Sequence, residues 1–118
     1  MELIEVISVP VTDQQKAKEF YLKIGFEIIT EADMGNGGTW VQLGLPGQAT
    51  SISLVNWLVE KMPAGSMQGL VIKSDNIEKE TEELKSKGIA VSAIDPTPWG
   101  KFMSFNDPDG NGLILRGE

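Results

Sequence analysis

Phe105-Asn106-Asp107-Pro108-Asp109-Gly110-Asn111-Gly112-Leu113-Ile114-Leu115 reads as a tight turn between two short apolar strands. Pro108 presets a turn value of φ, and the Asp109-Gly110 step suits a chain reversal. The same letters satisfy a calcium-loop pattern: Asp107-x-Asp109-x-Asn111-Gly112, then five residues, then Glu118. That reading is set aside, because the flanks, Lys101 to Asn106 and Gly112 to Arg116, alternate as strands and not as helices.

Working outward, Ile89 to Ile94 and Leu70 to Lys73 also read as strands. Between them Asp75 and Glu78 form a capping box. Ile77, Thr81 and Leu84 make a helix face, and Gly88 stops the helix. The first half has the same order. Leu3 to Val11 is a strand, and Thr12 with Gln15 forms a capping box. Ala17, Phe20, Tyr21 and Ile24 line one helix face, and Gly25 ends it. Phe26 to Thr30, Thr39 to Leu45 and Ser51 to Trp57 complete the half as strands, while Met34 to Gly38 reads as a mobile loop. Thr12 and Asp75 lie 63 positions apart, and so do Gly25 and Gly88. Two independent landmarks with one offset mark a tandem repeat. The expectation is one α+β domain over residues 1–118, with βαβββ modules at 1–58 and 66–118 and a turn-rich linker at 59–65.

Composition narrows the chemistry. The 118 residues contain no cysteine and no histidine. This excludes a disulfide framework, a thiolate nucleophile, a cysteine-zinc site and a Ser-His-Asp triad. The net charge of −7, with basic residues scattered singly, argues against nucleic acid. No apolar run approaches the ~20 residues of a membrane span, and the start lacks a signal-peptide pattern. The expected setting is cytoplasmic.

Several segments together resemble the vicinal oxygen chelate superfamily, which includes glyoxalase I, bleomycin-resistance proteins and extradiol dioxygenases. They are Val9-Pro10-Val11-Thr12-Asp13, Lys16 to Tyr21, Ile24-Gly25-Phe26-Glu27, Ser74 to Glu78, Leu84 to Ile89, Pro98-Trp99-Gly100 and Asp107 to Asn111. The resemblance spans essentially the whole chain in order. It implies paired βαβββ modules forming a curled mixed sheet around a cavity, often in a homodimer. It also implies four metal-ligand positions, which fall here at Val6, about Ser51, Gly69 and Ile114. None of the four is a His or Glu, so the resemblance implies a scaffold without its usual metal and with no cofactor.

Strand alternation nominates a cavity face independently. Ile52 and Leu54 should face the helices, leaving Ser51 and Ser53 on the other side. Likewise Trp40 and Gln42 oppose Val41 and Leu43, and Phe102 and Ser104 oppose Met103 and Phe105. Val6, Ser8, Ile114 and Arg116 extend that face. Trp57 and Trp99 border it and could stack on a flat ligand, and Arg116 could hold an anionic group. The candidate ligand-binding set is therefore Trp40, Gln42, Ser51, Ser53, Trp57, Trp99, Phe102, Ser104 and Arg116, with no catalytic and no metal-binding residue assigned. Apolar walls with a few placed polar groups suit a small organic ligand.

Three functions follow. The first is a metal-independent binding protein that sequesters an antibiotic or other toxic organic compound. The alternative is a glyoxalase-like lyase, isomerase or dioxygenase, with Glu5 and Gln42 as the only nearby oxygen ligands for a hard divalent ion. The third is an interaction domain that uses its acidic surface.

Overall fold

The computed structural model describes residues 1–118. The order is β1 (Val6–Pro10), α1 (Gln14–Lys23), β2 (Glu27–Gly35), β3 (Gly38–Gly44), β4 (Ser51–Val55), β5 (Leu70–Lys73), α2 (Ile77–Ser86), β6 (Asp95–Thr97), β7 (Gly100–Asn106) and β8 (Gly112–Gly117). The βαβββ unit thus occurs twice, as the repeat requires. The strands form two four-stranded sheets, ordered β1-β4-β3-β2 and β5-β8-β7-β6, and no barrel closes. Each βαβββ module contributes one of the two sheets, with β1 and β5 at their edges. Each sheet is mixed: β1 runs parallel to β4 and β5 parallel to β8, and the remaining pairs are antiparallel.

Both helices begin one residue later than the capping boxes suggest. Asp13 Oδ1 accepts from the backbone N–H of Gln15 at 3.0 Å and of Lys16 at 3.1 Å. Asn76 Oδ1 accepts from Lys79 N–H at 3.1 Å. Side chains at those positions reach the free amides of the first turn, which is what a cap must do. Thr12 instead donates its backbone N–H to Asp109 Oδ1 at 3.1 Å. Asp13 and Asn76 are again 63 apart, so the offset survives the shift.

Two strand assignments change. Met34 to Gly38 is not a separate loop but the tip of the β2–β3 hairpin, with Gly35 opposite Gly38. Asn36 at φ 54° and Gly37 at φ 76° supply the two positive φ values of a type I′ turn. Ile89 to Ile94 is not a strand; only Val91 bridges to Phe105. The cause is Ser92, whose Oγ takes the Ser104 N–H at 2.9 Å. A hydroxyl has replaced a backbone carbonyl there, although the Ser92 N–H still donates to the Ser104 carbonyl at 2.9 Å, so the ladder is interrupted and regular pairing begins only with β6, at Asp95 opposite Phe102. Ile89, Val91 and Ile94 still pack against the core.

One core joins the halves. Val9, Val41, Leu43, Ile52 and Leu54 of the first sheet meet Met103, Phe105, Leu113 and Leu115 of the second, with Ala17, Tyr21, Ile77 and Leu84 from the helices. The Asp107–Asn111 turn binds the halves at the polar centre of this interface. Tyr21 Oη donates to Asp107 Oδ2 at 2.8 Å, and Asn111 Nδ2 donates both to Asp107 Oδ2 and to the Pro10 carbonyl at 2.8 Å. Asn111 Oδ1 accepts from Met67 N–H at 3.0 Å. These acceptors are consumed inside the fold, which is the structural reason the calcium pattern is misleading. No helix is long and apolar enough to cross a membrane.

Candidate functional site

The sheet faces follow the alternation. Val41, Leu43, Ile52, Leu54, Met103 and Phe105 point into the core, which leaves Trp40, Gln42, Ser51, Ser53, Phe102 and Ser104 on the opposite faces. On the first sheet the nominated residues form a continuous hydrogen-bond relay. Trp40 Nε1 donates to Gln42 Oε1 at 3.1 Å, and Gln42 Nε2 donates to Ser51 Oγ at 2.8 Å. Ser51 Oγ then donates to the Glu5 carbonyl at 3.1 Å. The relay runs diagonally to the register: Gln42 lies opposite Ser53 across β3–β4 but reaches Ser51, two residues away on the same face of β4. Ser53 Oγ is buried without a partner. Trp57, just past β4, brings its ring centroid within 6.4 Å of that of Trp40, with the planes tilted by 33°.

The second sheet carries a separate group. Phe102 lies opposite Arg116, and Ser104 opposite Ile114. Arg116 Nε and Nη2 both donate to the Trp99 carbonyl, at 3.1 and 2.8 Å, and Nη1 lies 3.6 Å from Glu118 Oε1. Trp99 sits in the tight turn between β6 and β7, with its side chain 74% exposed. The Thr97 hydroxyl braces that turn: it accepts the Trp99 N–H at 3.1 Å and donates to the Gly100 carbonyl at 2.6 Å.

The nine residues therefore form two clusters, one per sheet. A concavity of about 330 Å³ beside the second cluster is lined by Trp99 and Arg116. Two adjoining clefts of about 340 and 440 Å³ share Phe26, Leu45, Ile72 and Lys73, and of the nine only Ser51 reaches them. None of these three concavities is lined by both clusters. The Glu5 carbonyl and the shared cleft were not foreseen. A backbone acceptor leaves no letter in the sequence, and the cleft draws its walls from both modules.

The side chains at the four ligand positions offer a metal little. Val6 pairs with Ser51. In the second sheet Ile114 pairs with Val71, not with Gly69. Ile114, opposite Ser104, matches Ser53, which is opposite Gln42, so the repeat is offset by two fewer residues here than at the helices. On either alignment no position holds a His, Asp or Glu. No three Asp or Glu side chains are grouped to hold a metal ion. Glu5 is exposed ahead of β1, and its contribution to the relay is its carbonyl. These residues do not fit the metal.

Comparison with known proteins places the chain. The Glyoxalase/Bleomycin resistance protein/Dioxygenase superfamily matches residues 3–115. The chain is 30% identical over 115 residues to the uncharacterised protein YetH of Bacillus subtilis (strain 168), covering 96% of each. It is similar to the crystal structure of TnmS3, an antibiotic binding protein from Streptomyces sp. CB03234. The identity is 38% and the TM-score 0.93, over 99% of this chain and 96% of that one. A glyoxalase/bleomycin resistance protein from the same Streptomyces shares 40% identity with a TM-score of 0.84, over 94% of this chain and 96% of that one. The chain belongs to the Glyoxalase/Bleomycin resistance protein/Dioxygenase superfamily.

Proposed function

We propose that this protein binds a small organic molecule, of the antibiotic or toxic-compound class, without a metal, and acts by sequestration. The observation that carries the reading is the composition of the two sheet faces turned away from the core. They offer indoles, hydroxyls and an amide where metal-dependent relatives need imidazole or carboxylate. The likeness to TnmS3 supports the ligand class. Sequestration needs no general base, and this face has none.

The two clusters lie on different sheets of one chain. We place the working site where the first-sheet face of one protomer meets the second-sheet face of another in a cytoplasmic homodimer. The exposure of Ile28, Ile29 and Met34 on β2 and of Trp99 supports such a contact. A closed two-fold arrangement would make two identical sites.

A thermal-shift screen of antibiotics, run with and without EDTA, tests the function. A binder stabilises the fold by mass action. The reading expects a hit whose shift EDTA leaves unchanged and which Trp40→Ala weakens. Binding that needs an added divalent ion, together with turnover of a hemithioacetal or catechol, would establish the enzymatic alternative instead.

A further inference from the structure

Five asparagines and the Asp109-Gly110 step could each close a cyclic imide with the peptide that follows them. In that reaction the next residue's backbone nitrogen attacks the side-chain Cγ. It requires a small following residue, a nitrogen that is not already hydrogen-bonded, and a side chain free to turn onto it. Trp57, Ile77 and Asp107 follow Asn56, Asn76 and Asn106, and each crowds the nitrogen with a Cβ that glycine lacks. Asn111-Gly112 has the small residue but neither freedom. Asn111 is fully buried, its Nδ2 and Oδ1 are both engaged, and the Gly112 N–H donates to the Met67 carbonyl at 2.8 Å. At Asp109-Gly110 the nitrogen donates to the Asp107 carbonyl at 3.0 Å, and Asp109 Oδ1 holds the Thr12 N–H.

Asn36-Gly37 meets all three requirements. Both residues are exposed at the tip of the β2–β3 hairpin. Neither the Asn36 carboxamide nor the Gly37 N–H has a hydrogen-bond partner. β2 is the edge strand of its sheet, so β3 alone restrains the tip. The residues that make the turn are also the reactive pair. Asn and Gly are the types that accept φ 54° and φ 76° at least cost, and they are the pair in which the attacking nitrogen is least shielded.

We infer that Asn36 is a self-modification site, at which the folded protein deamidates spontaneously while Asn111 stays intact. The Gly37 nitrogen bonds to Asn36 Cγ, the Cγ–Nδ2 bond breaks, and ammonia leaves with the proton of the Gly37 N–H. Water then opens the imide at either carbonyl. The product is aspartate, or an isoaspartyl link that runs the main chain through Cβ. Water is the only co-reactant. Both products add negative charge to a hairpin that already carries Glu31 and Asp33. The isoaspartyl link also adds a backbone atom to a two-residue loop, so the Gly35–Gly38 pairing cannot keep its turn. The hairpin that carries Trp40 therefore opens at its tip as the protein ages. The inference stands apart from the binding function proposed above.

The test is incubation of the native protein at pH 8, with its tryptic peptides followed by mass spectrometry. Peptide Ile24–Lys61 should gain an acid at Asn36, localised by fragmentation, at least tenfold faster than Phe102–Arg116 gains one at Asn111. In guanidinium chloride the two should react at similar rates, because the fold alone protects Asn111. Asn36→Gly, which suits the same turn, should leave Ile24–Lys61 unmodified. In the separated isoaspartyl form, amide hydrogen exchange should quicken over residues 31–40 and not over β7 and β8. An Asn36 as long-lived as Asn111 in the native protein would overturn the site. Unchanged exchange in the isoaspartyl form would overturn the opening of the hairpin.

Discussion

Asp107 accepts four hydrogen bonds while only 5% exposed: from Tyr21 Oη, from Asn111 Nδ2, and from the backbone N–H groups of Asp109 and Asn111. A carboxylate so enclosed is tolerated because its lone pairs are satisfied. Its charge has a cost for Tyr21. Burial first, and then the Asp107 charge, push the Tyr21 hydroxyl well above the ordinary tyrosine range. A raised folded-state pKa favours the protonated form. That contribution is fully present below the unfolded value of about 10 and is lost as pH rises past it. Urea titrations should show stability falling above about pH 10 in the wild type, with a shallower fall in Tyr21→Phe. At neutral pH Tyr21→Phe should cost about 1–3 kcal/mol, because Asp107 keeps its burial and loses a donor. Asn111→Ala should cost on the order of 3 kcal/mol, since it strands the Pro10 carbonyl and Met67 N–H as well as Asp107. A loss under 1 kcal/mol in both would mean that this turn does not lock the halves.

Elements were legible in the sequence where one local signal decided them. Period-3.6 faces with Gly25 and Gly88 gave both helices, and period-2 alternation gave the core-facing residues of β3, β4 and β7. The signals failed where a side chain intervened. The Ser92 hydroxyl interrupts a pairing that the apolar pattern of Ile89 to Ile94 favours, and the regular strand begins instead at Asp95. Around Asn36-Gly37 the glycine-rich composition suggests mobility, whereas two positive φ values make it a hairpin turn. Residues of the candidate site could be assigned to a face, but their partners could not. Gln42 meets Ser51 and Arg116 meets the Trp99 carbonyl through registers and turn geometry that no periodicity encodes. The linker gives an element-scale prediction. Gly65 has φ +82°, and a Cβ there would be driven into the Asp109 carbonyl. Gly65→Ala should therefore destabilise the protein by at least about 1–2 kcal/mol in urea unfolding, from the left-handed backbone alone. A neutral result would show that the linker does not pack on the turn.

At the scale of the whole molecule, the surface charge sets the response to acid. Hydrogen bonding from Lys18, then Gln15, holds the Glu31 carboxyl below its usual range, and Lys101 does the same for Glu78. Depressed values mean that these pairs stabilise the fold above the unfolded carboxylate range near pH 4.3 and lose that effect as pH falls through their folded values. Both pairs lie at the surface, so the effect is modest and should fade in high salt. Comparison of Glu31→Gln with wild type between pH 5 and 2 should show a smaller acid-dependent loss in the variant. The proposed homodimer should sediment at twice the mass of 12.8 kDa, and a charge introduced at the exposed β2 residue Ile29 by Ile29→Glu should shift it toward monomer. The central claim is metal-independent binding at the indole-lined face. Its most direct test is calorimetric titration of the antibiotic found in the screen into EDTA-treated protein, wild type and Trp40→Ala side by side. The account predicts an affinity unchanged by EDTA and reduced at least tenfold by Trp40→Ala. Affinity that vanishes with EDTA and returns with a divalent ion would contradict it.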